Sequence, residues 1–374
     1  MAQLHTIDPI CDARWGKLSA THPRATIFHQ PGWLQALLRT YSYEPFVLTS
    51  AAVGEPVRDG VVVCLVSSWV TGRRLVSLPF TDHCEPLLDG VDISDFLSRL
   101  RAECDHQNFR YLELRPVAAL CSDQDQFGCS ESYWLHILDL SASSETIFAR
   151  LHKDCVQRKI RRAEREKIVC DTGNSEQHVN DFFRLLVMTR RRQGLPPQPK
   201  SWFKNLVLSL GDKVKIRVAR KNETAIAAML SLEHRSSVIY KYGCSDERFH
   251  HLGGMAFLFW NLIEVAKSSG LSTLDLGRSD LHNQGLITFK DRLGAAKQPL
   301  TYYSYSAAEK RQMRRHAQPL RCLLSREPEI SFVKQVWRFD VPLMVREESH
   351  ENTIDRSPRL HWRSCRSRFG SGRI

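Results

Sequence analysis

The stretch that decides the fold reads LDLGRS at residues 274–279, GLITFK at 285–290, LGA at 293–295 and LTYY at 300–303. These runs predict a buried strand that stops at Gly277, a short helix that carries Lys290, and a further strand. The first strand places a cation, Arg278, and a hydroxyl, Ser279, at the edge of a sheet. Because active sites of open α/β sheets gather at strand ends, Lys290, Arg278 and Ser279 are candidate substrate-binding residues. The alternative is a polar loop with a solvated lysine.

The order of elements that leads to this stretch occurs twice along the chain. In the first half, helices are predicted over 31–41 and 93–105, with strands over 45–52, 60–70, 74–79, 109–114 and 133–140. In the second half, helices are predicted around 179–186 and over 254–267, with strands over 214–220, 225–232, 237–243 and 272–276. Two strand ends also resemble each other, YLELR at 111–115 and TLDLGR at 273–278.

This repetition predicts an α/β protein with mixed sheets flanked by helices, in which one fold is present twice. The N-terminal domain is expected over residues 1–140 and the C-terminal domain over 141–312. A helical segment is expected over 313–343. The arginine-rich and serine-rich end, 344–374, is expected to be a disordered basic tail.

Composition favours a soluble protein that attracts phosphate. The 374 residues carry a net charge of +12, with a pI of about 9.3. Such a chain attracts the phosphates of nucleic acid, CoA, nucleotide sugars or an anionic membrane surface. No apolar run is long enough for a transmembrane segment and no signal peptide is seen, so a cytoplasmic location is expected. The eleven cysteines include no Cys-x-x-Cys motif, and no metal site is expected.

The segment 152–167 carries seven cations and three acids, and it is predicted to be a helix. Arg158 and Arg162 are its candidate ligands for a phosphorylated substrate or for RNA. The alternative is a solvated helix between the domains, held by pairs of glutamate and arginine.

Three further features point to chemistry. Tyr240 and Tyr242 end a predicted strand, where a hydroxyl can bind a substrate or protonate a leaving thiolate. Gly253 and Gly254 open a predicted helix whose free amides suit a pyrophosphate such as that of CoA. The candidate general bases stay unranked at this point: Glu233, His234, Asp275, Asp280 and His282.

Taken together, these motifs resemble the FemAB-like proteins, also described as CelD/BcsL-like or BioF2-like, which are tandem acyltransferases of the GNAT superfamily. The resemblance rests on residues 274–303 and on further segments at 77–80 (SLPF), 159–166, 189–199 (TRRRQGLPPQP) and 240–247. It implies two GNAT-like domains. In the cell-wall members a lysine and tyrosines of the second domain contact the precursor, and by motif these are Lys290 and either Tyr240 or Tyr242.

The expected function is therefore a GNAT-type N-acyltransferase. It would move an acyl group from acyl-CoA or a similar donor to an amine or hydroxyl of a cell-envelope or polysaccharide-related acceptor. Tyr242, as an oxyanion donor, and Asp275 are the predicted catalytic residues. Expected partners are an anionic glycan precursor, with tRNA and an anionic membrane surface as further candidates. The alternatives are an aminoacyl-tRNA-dependent aminoacyltransferase of the peptidoglycan-bridge type and a non-catalytic protein that binds RNA or another polyanion.

Overall fold

A computed structural model describes residues 4–68, 72–88, 93–120 and 127–306. Within these residues the protein is a mixed α/β fold, as the sequence predicts. The predicted helical segment at 313–343 and the predicted tail at 344–374 lie outside the described residues.

One continuous sheet contains all the strands of the described residues. They are β1 (His5–Ile7), β2 (Glu44–Thr49), β3 (Val61–Ser68), β4 (Gly72–Val76), β5 (Leu112–Leu114), β6 (Gly128–Asp139), β7 (Val169–Gly173), β8 (Val214–Lys221), β9 (Thr224–His234), β10 (Ser237–Ser245), β11 (Thr273–Asp280) and β12 (Ala296–Tyr305). The order across the sheet is β1-β2-β3-β4-β5-β12-β6-β11-β10-β9-β8-β7. Neighbouring strands are antiparallel except for β4 with β5 and β10 with β11, which are parallel.

This order is palindromic, because each strand of β1–β6 occupies the position that mirrors the strand six places later in the chain. The antiparallel pair of β6 and β12 lies at the centre. Each half gives its last strand to the other half, so β6 pairs with β11 and β12 pairs with β5. The fold is thus a duplication with exchanged central strands. The domain boundary predicted after residue 140 stays a prediction.

Helices cover both faces of the sheet. They are α1 (Ala13–Thr21), α2 (Pro31–Tyr41), α3 (Ile93–His106), α4 (Ser144–Arg150), α5 (Arg158–Arg165), α6 (Glu176–Gln193), α7 (Lys200–Leu210), α8 (Gly254–Ser268) and α9 (Gln284–Arg292). A short π-helix, Lys153–Gln157, leads into α5, and a 3-10 helix, Glu247–Leu252, leads to α8.

The second half shows how the side chains divide between the two faces. Ile239 packs in a core with residues of α1, α2, α6 and α7, such as Trp33 and Trp202, and we call this the α6–α7 face. Val238, the preceding residue of β10, packs in a core with residues of α5 and α8, such as Phe259. Phe289 of α9 also packs there, and we call this the α8–α9 face. Successive residues of a strand point to opposite faces, so each core lies on its own side.

Candidate active site

Strands β10 and β11 separate shortly after they begin to pair. Their parallel pairing covers three residue pairs, from Ser237 with Thr273 to Ile239 with Asp275. Beyond this point β10 stays paired with β9, and β11 stays paired with β6. Each strand has a β-bulge at this level, at Lys241 in β10 and next to Gly277 in β11. Bulges re-aim side chains and are frequent next to active sites, so the gap between the strands is a candidate reaction site.

An ionic cluster lies on the α6–α7 face of this gap. Asp82 accepts a hydrogen bond from Lys241 Nζ at 2.9 Å, and its carboxylate lies 3.9 Å from the Arg278 guanidinium. His83 Nε2 donates to Asp275 Oδ2 at 2.7 Å. Asp82 and His83 belong to the first half of the chain, whereas the other three residues belong to the second. The cluster therefore exists only because the two halves pack together.

Neighbouring charges shift the pKa values of Asp82 and His83 in this cluster. Burial acts to raise the pKa of Asp82, but Lys241 and Arg278 outweigh it and lower the pKa to about 2. Burial acts to lower the pKa of His83, but the hydrogen bond to Asp275 and the negative charges of Asp275 and Asp82 together outweigh it, so the pKa of His83 is raised. Asp82 is thus an anion at neutral pH. The Asp275 carboxylate also accepts from the Gly277 amide at 2.7 Å, so both of its oxygens are engaged.

A strained loop brings Asp82 and His83 to the site. Leu78 and Phe80 both have left-handed backbones, with φ of +70° and +62°. Such strain persists only where the surroundings hold it. Arg115 Nη1 donates to the carbonyls of Leu78 and Thr81, at 3.1 and 2.8 Å. The Tyr302 hydroxyl donates to the Asp82 carbonyl at 2.5 Å.

Sequence reasoning did not single out Asp82, His83 or Lys241 as site residues. The available signal was the SLPF motif at 77–80, which contributed to the family resemblance and directly precedes the first two. Nothing in the sequence indicates that this loop crosses to the second half.

Lys290 is buried rather than solvated, with 3% of the residue exposed. Its Nζ donates to the carbonyl oxygens of Gly277 and Arg278, at 2.9 and 2.8 Å. Burial lowers its pKa to about 8. The lysine therefore holds the bulge of β11 in place. Its predicted contact with a substrate stays a prediction.

Arg278 lies among aromatic rings. Its guanidinium is 4.1 Å from the ring centre of Tyr133 and 5.0 Å from that of Tyr302. Ser279 follows it in β11 and is buried, and its hydroxyl has no hydrogen-bond partner among the described residues.

The two predicted tyrosines lie on opposite faces of β10. The Tyr242 hydroxyl accepts a hydrogen bond from Trp202 Nε1 at 3.0 Å on the α6–α7 face. Tyr240 packs against Phe259 on the α8–α9 face, with ring centres 4.7 Å apart. Burial raises the pKa of both hydroxyls, so both stay protonated and able to donate at neutral pH.

A cleft of about 300 Å³ opens on the α8–α9 face at the start of α8. Gly253 and Gly254, the predicted phosphate-binding pair, both line it. The first hydrogen bond inside α8 runs from the Phe257 amide to the Gly253 carbonyl. The amides of the three residues between them therefore precede the helical ladder. The other lining residues are Cys155, Val156, Lys159, Ile226, Ala227, Ser245, Asp246, Phe249, His250, Met255, Ala256, Gly285, Phe289, Arg292 and Leu293.

Gly253 is required where α8 meets α5. Its φ is +80°, and a Cβ atom there would lie 2.4 Å from the carbonyl oxygen of Lys159. The missing side chain lets α5 pack against the helix start and places Lys159 in the cleft. Arg158 and Arg162 are exposed on the same helix and pair with Asp154 and Glu166. The predicted basic helix therefore borders the cleft, although neither of the two predicted arginines lines it.

Within the described residues, no group of three or more His, Cys, Asp or Glu side chains could hold a metal ion. None of the helices there has the length and apolar character that a membrane crossing needs.

Comparison with known proteins identifies the class. Residues 152–290 match the family model described as "Acetyltransferase (GNAT) domain". A search of curated protein sequences gave no significant match.

Among solved structures, the fold is similar to FemX at 12% identity and a TM-score of 0.65, over 84% of this chain and 100% of that chain. It is also similar to the C-terminal domain of a putative lysylphosphatidylglycerol synthetase from Agrobacterium fabrum. That match has 13% identity and a TM-score of 0.55, over 82% of this chain and 95% of that chain. A tandem GNAT protein from the clavulanic acid biosynthesis pathway matches at 11% identity and a TM-score of 0.51, over 82% of this chain and 99% of that chain.

The protein is therefore an acyltransferase with a GNAT domain over residues 152–290. The whole described chain has the tandem FemAB-like fold that the sequence motifs predict, which confirms the resemblance.

Proposed function

We propose that this enzyme transfers an acyl group from acyl-CoA to an amine or hydroxyl of an anionic acceptor, such as a phosphorylated cell-envelope or glycan precursor. One observation carries the proposal. The cleft at α8 lies on one face of the sheet, and the ionic cluster at the gap between β10 and β11 lies on the other. A donor and an acceptor that enter from opposite faces can meet in such a gap.

The cleft fits the chemistry of CoA. The amides at the start of α8, together with Lys159, Ser245 and His250, offer donors to a pyrophosphate. Phe249, Met255 and other apolar residues of the same cleft offer contacts to the uncharged arm of CoA. When bound, acyl-CoA would supply an activated thioester carbonyl. The match of residues 152–290 to an acetyltransferase (GNAT) domain supports this donor.

The ionic cluster fits the handling of an acceptor and its proton. Asp275 holds the His83 ring through Nε2, which leaves Nδ1 as the basic nitrogen of the neutral ring. Nδ1 is buried and has no partner among the described residues. In this proposal Asp275 contributes to catalysis by orienting His83. Tyr242 contributes a protonated hydroxyl near the carbonyl that is attacked.

Two observations support the acceptor class and the location. The likeness to a putative lysylphosphatidylglycerol synthetase domain supports an acceptor that carries phosphate. The cysteines of the described residues are all free, including the exposed Cys11 and Cys129, which supports a reducing compartment such as the cytoplasm. The exposed cations of α5 would permit peripheral contact with an anionic membrane surface.

The second candidate function uses aminoacyl-tRNA as the donor. It is favoured by the exposed cations of α5, among them Arg158, Arg161 and Arg162, which border the cleft. A row of cations on one helix suits a nucleic acid backbone.

Equilibrium binding of labelled acetyl-CoA tests the proposal. Because Lys159 lines the cleft, Lys159→Ala should weaken binding roughly ten- to a hundredfold, the effect of one charge-assisted bond to phosphate. Arg165→Ala, an exposed cation on the same helix that does not line the cleft, is the matched control and should bind like wild type.

Total tRNA added as competitor separates the candidates. Acetyl-CoA binding that survives the competitor supports the proposal. Transfer from aminoacyl-tRNA without acetyl-CoA binding would establish the second candidate. RNA binding without any transfer would indicate a non-catalytic protein that binds polyanions.

A further inference from the structure

Two arginines flank Tyr302 at the centre of the sheet. Arg115 follows β5 and Arg278 lies in β11, the strand that mirrors β5, and each guanidinium is 5.0 Å from the Tyr302 ring centre. The duplication thus places two equivalent cations around one aromatic ring.

The two cations differ in their partners. Arg115 donates to Glu113 Oε1 at 2.7 Å and also to the carbonyls of Leu78 and Thr81. The guanidinium of Arg278 has no hydrogen-bond acceptor among the described residues. Among the described residues, the carboxylate within 4 Å of this guanidinium is that of Asp82, at 3.9 Å, and it is already bonded to Lys241.

Arg278 is nevertheless largely buried, since 22% of its side chain is exposed. Its Nη1 atom is fully buried and has no partner among the described residues. A buried donor without an acceptor is costly, and a bound anion would supply the acceptor. The exposed part of the side chain, together with the 21% exposure of Asp82, shows that solvent reaches the cluster.

The other cations of the cluster are occupied. Lys290 bonds two carbonyl oxygens, and Lys241 bonds Asp82. The tyrosine rings hold the plane of the Arg278 guanidinium, and a guanidinium held in this way suits a planar or forked anion.

We propose that Arg278 binds an anionic group of the acceptor, a carboxylate or a phosphate, and so selects acceptors that carry one near the reacting amine or hydroxyl. This inference rests on the proposed function, in which the ionic cluster holds the acceptor. It assigns the anion to Arg278 alone among the arginines and lysines of the cluster.

The test measures anion binding without turnover. Titrations with inorganic phosphate and with malonate are followed by isothermal calorimetry at constant ionic strength, in the presence of saturating CoA. In the proposed function CoA occupies the cleft at α8, so the titrated anion then reports on the ionic cluster. The variant is Arg278→Gln, and the control is Arg73→Gln, which removes an exposed arginine stacked on Phe109 outside the site.

Wild type and the control should bind at least one of the two anions, and Arg278→Gln should bind it at least about tenfold more weakly, as for the loss of a charge-assisted bond. The anion that wild type binds more tightly indicates whether the acceptor carries a phosphate or a carboxylate. Absence of saturable binding to wild type, or affinities within about twofold in the two variants, would overturn the inference. CoA binding by Arg278→Gln, measured in parallel, keeps the proposed function separate, because a failure of CoA to bind wild type refutes that function instead.

Discussion

The connection from β4 to α3 and the connection from β10 to α8 follow strands that lie at mirrored positions in the sheet. The two connections supply different parts of the candidate site. In the second half, the 3-10 helix Glu247–Leu252 is capped by the Asp246 side chain and ends at Gly253, where the cleft opens. In the first half, the described residues 77–88 contain the two left-handed residues Leu78 and Phe80. This connection carries Asp82 and His83 to Lys241 and Asp275 of the second half.

The difference shows how a duplicated fold can build one site from two copies. One copy keeps a glycine-rich helix start, which suits phosphate. In the other copy, the equivalent connection contacts the second half and supplies an acid and a histidine to the cluster. The exchange of β6 and β12 brings the halves close enough for these contacts.

The largest expected effect comes from breaking the contact between the halves. Asp82→Ala leaves Lys241, whose side chain is 7% exposed, without its partner, and it should cost about 3–5 kcal/mol in the free energy of unfolding. Asp212→Ala is the control, since that carboxylate is 98% exposed and 3.9 Å from Lys215, and it should cost at most about 1 kcal/mol. Urea unfolding measures both. Equal costs would mean that the first connection does not support the second half.

Lys290→Met should have the next largest effect. It should lower the free energy of unfolding by about 2–3 kcal/mol, because two carbonyl oxygens lose their donor. Lys267→Met is the control, since its Nζ also donates to two carbonyls, Leu140 and Ala142, but the residue is only half-buried. Lys267→Met should therefore lower the free energy of unfolding by less than Lys290→Met does, as measured by urea unfolding.

The pH dependence of the Lys290→Met effect has a definite sign. The folded pKa of Lys290 is lowered to about 8 from 10.5, so between these values the unfolded chain binds more protons than the folded one. Stability due to this lysine therefore rises with pH in that window. The difference between wild type and Lys290→Met should be larger at pH 10 than at pH 7. A difference that shrinks with pH would show that the lysine is not buried as described.

Gly277→Ala tests the bulge of β11, and it should lower the free energy of unfolding by about 1–3 kcal/mol. Its φ is +72°, and an added Cβ would lie 3.0 Å from Asp82 Oδ2. Gly270→Ala shares the strain, with φ of +75°, but meets no atom within 4 Å. Thermal unfolding of the two variants separates strain from contact. If Gly277→Ala lowers the stability no more than Gly270→Ala does, a Cβ atom at residue 277 fits beside the loop of the first half without a clash.

The smallest expected effect concerns α5, the helix that borders the cleft. Arg162→Ala removes an exposed side chain with a 3.9 Å contact to Glu166, and it should change stability by at most about 0.5 kcal/mol. If α5 shares a phosphate ligand with the cleft, the same variant should weaken acetyl-CoA binding more at low salt than at high salt. If acetyl-CoA binding is unchanged at both salt concentrations, Arg162 is a surface residue without a role in phosphate binding.

The sequence by itself determined the elements and their repetition. The alternation and helical spacing of apolar residues depend on neighbours a few positions apart, so the strand at 272–276, the helix at 254–267 and the duplicated order could be predicted. The motifs between 274 and 303 also indicated the acyltransferase class, and they singled out Lys290 and Arg278 as residues of one region.

Only the tertiary structure decided how these residues combine. His83 and Asp275 are 192 residues apart and meet because the halves pack together and exchange strands. Two bulges and two left-handed residues other than glycine set the directions of Lys241, Gly277 and the Asp82 loop, and the sequence does not indicate these directions. The same packing buries Lys290 against two carbonyls and leaves the Arg278 guanidinium without an acceptor among the described residues. Local patterns encode which elements form, whereas the charges that meet at the site depend on contacts between distant segments.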